Sequence, residues 1–182
     1  MSRIAEVFRT KKPLIVYITA GDPSLKATEK LIFDLEKQGV DIIELGIPFS
    51  DPLADGPIIQ ASHVRALKAK TTFSKIIQMI KQVRIKSKIP LVLMGAYNLF
   101  YKYGLEKFAQ NALQYEIDGV IIPDLPPEEA REIIELGRSK NFCTIFLAAL
   151  TSSTERLTKI INSATGFIYL IALKGVTGSR ST

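Results

Sequence analysis

Residues 41–57 read DIIELGIPFSDPLADGP. Ile42, Ile43, Leu45 and Ile47 mark a β-strand apolar on both faces, the composition of a strand in a parallel sheet covered on each side by helices. Glu44 interrupts that run, and Asp51 and Asp55 follow within eleven residues in a loop rich in proline and glycine. A carboxylate there has two readings. It is either an acid paired with lysine or arginine in the core, or an acid aimed into a cavity at the strand's carboxyl end. In the cavity, low dielectric raises its pKa until it both donates and accepts protons near neutrality.

Outward from this strand the pattern repeats. Apolar runs PLIVYITAG, VDIIELGIP, IPLVLMGAYN, DGVIIPDLP, FCTIFLAAL and FIYLIAL begin near residues 13, 40, 89, 118, 142 and 167. Helical periods separate them. In TFSKIIQMIKQVR, Phe73, Ile76, Ile77, Ile80 and Val83 fall on one stripe. PPEEAREIIELG is expected to open a helix with prolines and acids at its amino end, and Ser152 with Glu155 is expected to form a capping box. The interval from 40 to 89 is abnormally long, 49 residues, and holds the acidic loop plus a further helical stretch, IIQASHVRALKA. Insertions after barrel strands are where active sites are built.

Six parallel strands with right-handed crossovers admit an open doubly wound sheet or part of an eight-stranded barrel. No G-x-G-x-x-G follows the first strand, where TAGDPS stands instead, so the reading favours a (β/α)8 TIM barrel. A whole barrel takes about 250 residues. The 182 residues are therefore expected to form a single domain, 1–182, of about six βα units of an incomplete barrel.

Composition narrows the function classes. With 47% hydrophobic and 23% charged residues, the chain can bury a core. The net charge of +6 is spread over expected helix faces, as in Lys75, Lys81, Arg84, Lys86 and Lys88, with no basic–aromatic motif. No nucleic-acid partner is implied, though a basic field favours a small anionic substrate. No apolar run approaches the roughly 20 residues of a membrane span, and the amino terminus lacks a secretory signal, so a cytoplasmic protein with no membrane partner is expected. The single cysteine, Cys143, reads as an inert core thiol.

Among the acids, Glu44 and a more hydrated Asp55 would divide the labour of proton transfer, as acids in unlike environments do. Asp51, in SDP, also suits a turn. The lone histidine, His63, sits in a helical stretch and reads as structural or surface. No Cys, His and acid cluster has metal-ligand spacing, so no metal is implied. GVTG at 175–178 allows backbone amides to approach an anion, with Thr177 adding a hydroxyl.

ELGIPFSDPLADGP, with TAGDP, IIPDLPPEE, GFIYLI and GVTG in this order and spacing, resembles the alpha subunit of tryptophan synthase along essentially the whole chain. The resemblance implies a (β/α)8 lyase that cleaves indole-3-glycerol phosphate to indole and glyceraldehyde 3-phosphate without a cofactor. It implies Glu44 as general acid/base, Asp55 as acceptor of the indole N–H, and Tyr169 beside the glutamate. Tyr17, Ile59 and Met94 would line the indole pocket, Thr177 would meet Asp55 on lid closure, and Gly178 would contact phosphate. Pro48, Asp51 and Asn98 match positions at the contact with the beta subunit of an α2β2 assembly, whose pyridoxal phosphate joins indole to serine. Ala96 departs from the family's frequent aromatic residue, and Leu173 and Lys174 depart from its small or polar ones. With strands seven and eight not seen, weak or absent turnover is expected of the 182-residue chain itself. The alternative of a different class is a non-catalytic partner that docks on the beta subunit and modulates it. Another phosphate-binding barrel enzyme, such as an indole-glycerol-phosphate synthase or an aldolase, is a third reading.

Overall fold

The apolar runs become six strands: β1 (Ile15–Thr19), β2 (Ile42–Gly46), β3 (Leu91–Met94), β4 (Gly119–Ile121), β5 (Cys143–Ala149) and β6 (Ile168–Ile171). The computed structural model describes residues 2–51 and 55–172. All neighbouring strands are parallel, in the order β1-β2-β3-β4-β5-β6. A doubly wound sheet reverses its order at a switch point. This one does not, so the strands follow one another as staves of a barrel wall.

Eight helices alternate with them among the described residues: α1 (Arg3–Thr10), α2 (Leu25–Lys37), α3 (Pro57–Lys68), α4 (Phe73–Val83), α5 (Tyr97–Tyr103), α6 (Leu105–Gln114), α7 (Arg131–Lys140) and α8 (Thr154–Ser163). The stripe read in α4 is its buried face: Ile76, Ile77, Ile80 and Val83 pack with Ile43, Leu45, Leu91 and Leu93 of the strands. Each such side chain contributes about 1.5–3 kcal/mol by burial. The other face of the strands forms a smaller cluster of Ile42, Val92, Ile121, Cys143 and Ile145, which Ile4 of α1 joins. The two-residue period of a strand thus sorts Ile42, Glu44 and Gly46 to the inside and Ile43 and Leu45 to the helices. Burial raises the pKa of the Cys143 thiol.

Three local expectations are corrected. The PPEE segment does not open α7; Glu129 N–H bonds to Pro126 O and Ala130 N–H to Pro127 O in turns, and the helix begins at Arg131. The cap of α8 is Ser153, whose hydroxyl accepts from Arg156 N–H, while Ser152 accepts from Ala149 N–H. Arg84 does not lie on a solvated helix face.

Arg84 turns inward at the end of α4, its side chain 7% exposed. It donates to Asp118 Oδ2 at 3.1 Å, to Ile89 O at 2.7 Å and to Glu116 O at 2.9 Å. The same Asp118 accepts from Arg3 Nε at 2.7 Å and from Leu91 N–H at 2.8 Å. One buried carboxylate therefore ties α1, the end of α4 and the start of β3 together at the amino-terminal end of the sheet. Burial lowers the pKa of Arg84 to about 10, with Asp118 opposing the shift. No helix among the described residues is long and apolar enough to cross a membrane.

Candidate active site

Glu44 sits in the middle of β2, paired in register with Tyr17 of β1 and Val92 of β3. It shares the inner face with Ile42 and is only 4% exposed. Burial alone pushes its pKa up to about 7. A carboxyl with that proton affinity populates both its acid and its base form at neutral pH, which proton donation and abstraction by one group require.

Asp55 lies just ahead of α3, which Gly56 and Pro57 open. Gln60 Nε2 donates to the Asp55 carbonyl at 2.7 Å, fixing the backbone there. The Asp55 side chain is 22% exposed, wetter than Glu44. Burial raises its pKa, and His63, with Nε2 3.7 Å from Oδ2, pulls the other way. The two acids thus stand in unlike surroundings.

The position of Asp55 follows from how α3 docks. Its buried face presents Ser62, His63 and Ala66. Ser62 Oγ lies 2.6 Å from Thr19 Oγ1 and donates to Ile59 O at 2.6 Å. His63 Nε2 lies 3.2 Å from the Tyr17 hydroxyl, and His63 Nδ1 accepts from Phe49 N–H at 3.0 Å. Arg65 grips Asp22 with two bonds, Nε to Oδ1 at 2.8 Å and Nη2 to Oδ2 at 2.7 Å. The helix is fastened across the carboxyl end of β1, beside the mouth of the barrel wall. Of the two readings of His63, structural or surface, the fold selects the first: the ring is 5% exposed, and its partners lie 14 and 46 residues away, where no local pattern announces them.

Tyr17 leans over Gly46: a Cβ at position 46 would overlap the Tyr17 hydroxyl and ring, so glycine is needed for the tyrosine to cross the inner face. Burial raises the Tyr17 pKa to about 12, and both Asp55 and Glu44 add to the shift. Tyr169, on β6, is also raised by burial first and then by Glu44 and Asp55. Each tyrosine hydroxyl therefore lies in the field of both acids. Met94 and Tyr169 pack against the inner cluster, and Ile59 is half-buried on α3.

The remaining expected positions are distributed differently. Asp51 and Asn98 are exposed, whereas Pro48 is buried within the chain, leaving little of its own surface for a partner. Asn98 rides on α5, whose start is set by Asp124 Oδ1 accepting from Tyr97 N–H at 2.8 Å. Thr177 and Gly178, with Leu173 and Lys174, lie outside the described residues. A buried acid, a wetter acid and two tyrosines above an apolar floor can give and take a proton at one group and accept a hydrogen bond at another.

A family model described as tryptophan synthase alpha chain matches residues 5–182. A tryptophan synthase alpha chain of Geotalea uraniireducens is 50% identical over 187 aligned residues, which cover all of this chain and 70% of the relative. A solved tryptophan synthase from Mycobacterium tuberculosis superposes with a TM-score of 0.92 at 32% identity, covering 99% of this chain and 72% of that one. The tryptophan synthase complex of Pyrococcus furiosus gives a TM-score of 0.83 at 42% identity, covering 87% of this chain and 65% of that one. The chain thus spans about two thirds to three quarters of the length of these relatives.

Proposed function

Because the chain belongs to the tryptophan synthase alpha-chain family, we propose that it supplies the lyase chemistry of that family, cleaving indole-3-glycerol phosphate into indole and glyceraldehyde 3-phosphate. The observation that carries this reading is Glu44, buried on the inner face of the strands and held by burial at a pKa of about 7.

The protonated Glu44 carboxyl gives its proton to the indole carbon that bears the glycerol side chain. The ring becomes cationic, and the Asp55 carboxylate accepts the ring N–H and stabilises the charge, as a fixed group aimed at developing charge does. The Glu44 carboxylate then takes the proton of the adjacent hydroxyl. The carbon–carbon bond breaks, its electron pair returns to the ring, and the hydroxyl carbon leaves as aldehyde. One proton is given and one taken, so Glu44 ends as it began. Tyr17, Met94 and Ile59 would flank the ring, and Tyr169 would stand beside Glu44. Thr177 and Gly178 belong to the proposed lid and phosphate contacts.

The partner proposed is a beta subunit in an α2β2 assembly, met through the exposed Asp51 and Asn98 on the rim; a Pyrococcus furiosus relative is described as an a2b2 complex. Pyridoxal phosphate would belong to that subunit, and the proposed setting is the cytoplasm. The test is indole release from indole-3-glycerol phosphate in the presence of beta subunit. Loss in Glu44→Gln and Asp55→Asn with the fold intact supports the lyase; unchanged release in either variant refutes it.

A further inference from the structure

We propose that His63 is a positioning residue of this site: one imidazole holds the Phe49 peptide through Nδ1 and faces both Tyr17 and the Asp55 carboxylate through Nε2, keeping Asp55 aimed at the cavity as an anion. The inference rests on the lyase reading above and deepens it. Phe49 follows β2, which carries Glu44, so a side chain that grips Phe49 and faces Asp55 links the end of β2 to the second acid.

Hydrogen bonding fixes the orientation of the ring. Phe49 N–H donates to Nδ1 at 3.0 Å, so Nδ1 is the acceptor and the proton of the neutral ring is on Nε2. Nε2–H then points its positive end toward the Tyr17 oxygen at 3.2 Å and toward Asp55 Oδ2 at 3.7 Å. In the imidazolium, Nδ1–H has its own acceptor, the Phe49 carbonyl at 3.3 Å. The backbone of Phe49 therefore holds the ring in either protonation state, through its N–H in one and its carbonyl in the other, and Nε2 is a donor in both. The ring cannot turn away cheaply, since it is 5% exposed and its helix is clamped by the Ser62–Thr19 and Arg65–Asp22 contacts.

The consequence for Asp55 is electrostatic. Burial works against its ionised form and His63 works for it. The other titratable groups in the neighbourhood are Tyr17 on β1, Glu44 on β2 and Tyr169 on β6, none of them cationic. Among the described residues, His63 is therefore the group that favours the carboxylate form of Asp55, the form able to accept an indole N–H.

Three variants of the full chain separate this role from packing. His63→Gln keeps a donor near the Nε2 position, His63→Asn keeps an acceptor near Nδ1, and His63→Leu keeps neither. The first readout needs no turnover: the side-chain carboxyl carbon of Asp55 is followed by NMR across pH, assigned with Asp55→Asn. The second is the pH profile of kcat/KM for indole release with beta subunit present. We expect Asp55 to titrate at higher pH in His63→Leu and His63→Asn than in the wild type, with His63→Gln restoring the wild-type direction. Below the shifted acidic limb, kcat/KM should fall about tenfold in His63→Leu and His63→Asn for each pH unit by which the Asp55 titration moves up, since one unit changes the ionised fraction about tenfold. Because His63→Asn keeps the Phe49 contact, an Asp55 titration unchanged in a folded His63→Asn protein overturns the proposal. Turnover that persists in Glu44→Gln sinks the lyase reading instead and leaves the Asp55 titration to judge His63 alone.

Discussion

Replacing Glu44 by glutamine should make the protein more stable in mild alkali while disabling its chemistry. In the folded chain the carboxyl is 4% exposed and its pKa is raised by burial from the ordinary 4.5 to about 7. The unfolded chain has no such burial, so between pH 4.5 and 7 the folded form holds a proton that the unfolded form has released. Stability then falls as pH rises through that window, because the folded state binds more protons. The contribution is intact below pH 4.5 and fully lost above pH 7. The difference of about 2.5 units corresponds to about 3 kcal/mol at about 1.36 kcal/mol per unit. Glutamine has no proton to lose and escapes the penalty. Urea unfolding of wild type and Glu44→Gln at pH 4.5 and pH 8.5 measures it. With an m-value of about 2 kcal/mol/M, the midpoint of the variant relative to wild type should rise by about 1.5 M from the lower pH to the higher. A gap between the two proteins that does not change with pH would refute the claim that Glu44 is a desolvated acid.

Asp118→Ala should cost about 3 kcal/mol or more, because it strips the carboxylate partner from buried Arg84 and the acceptor from Leu91 N–H; a urea midpoint shifted by less than about 0.5 M would contradict this. Gly46→Ala should destabilise by about 1–3 kcal/mol through overpacking against Tyr17 and displace the tyrosine from the inner face. Thermal unfolding and a crystal structure check both effects, and an unmoved Tyr17 with unchanged stability would count against the packing described.

The barrel was legible because strands apolar on both faces have one common home, a parallel sheet between two layers. In the sequence the preference for a barrel over a doubly wound sheet rests only on the missing glycine fingerprint, and the unreversed strand order supplies the direct reason. Glu44 was legible because a lone acid among isoleucines and leucines is chemically out of place. Contacts between distant positions were not. Arg84 reads as one more surface cation of a basic helix until Asp118, 34 residues on, is brought beside it. His63 reads as an ordinary helix residue until the fold sets it against Tyr17 and Phe49. Ser152 with Glu155 has the spacing of a capping box, and only the backbone course after β5 hands the cap to Ser153 instead. The prolines at 126 and 127 suit a helix start, but the turns that follow delay it to Arg131.

Proton exchange at the ring carbon that Glu44 is proposed to protonate can be watched without the phosphate end of the substrate. Indole is incubated with the protein in heavy water, and loss of its carbon-bound proton at that position is followed by NMR. The account predicts exchange well above the uncatalysed rate, falling at least about 100-fold in folded Glu44→Gln, the usual loss of a general acid/base. Exchange at the same rate in both proteins would contradict it.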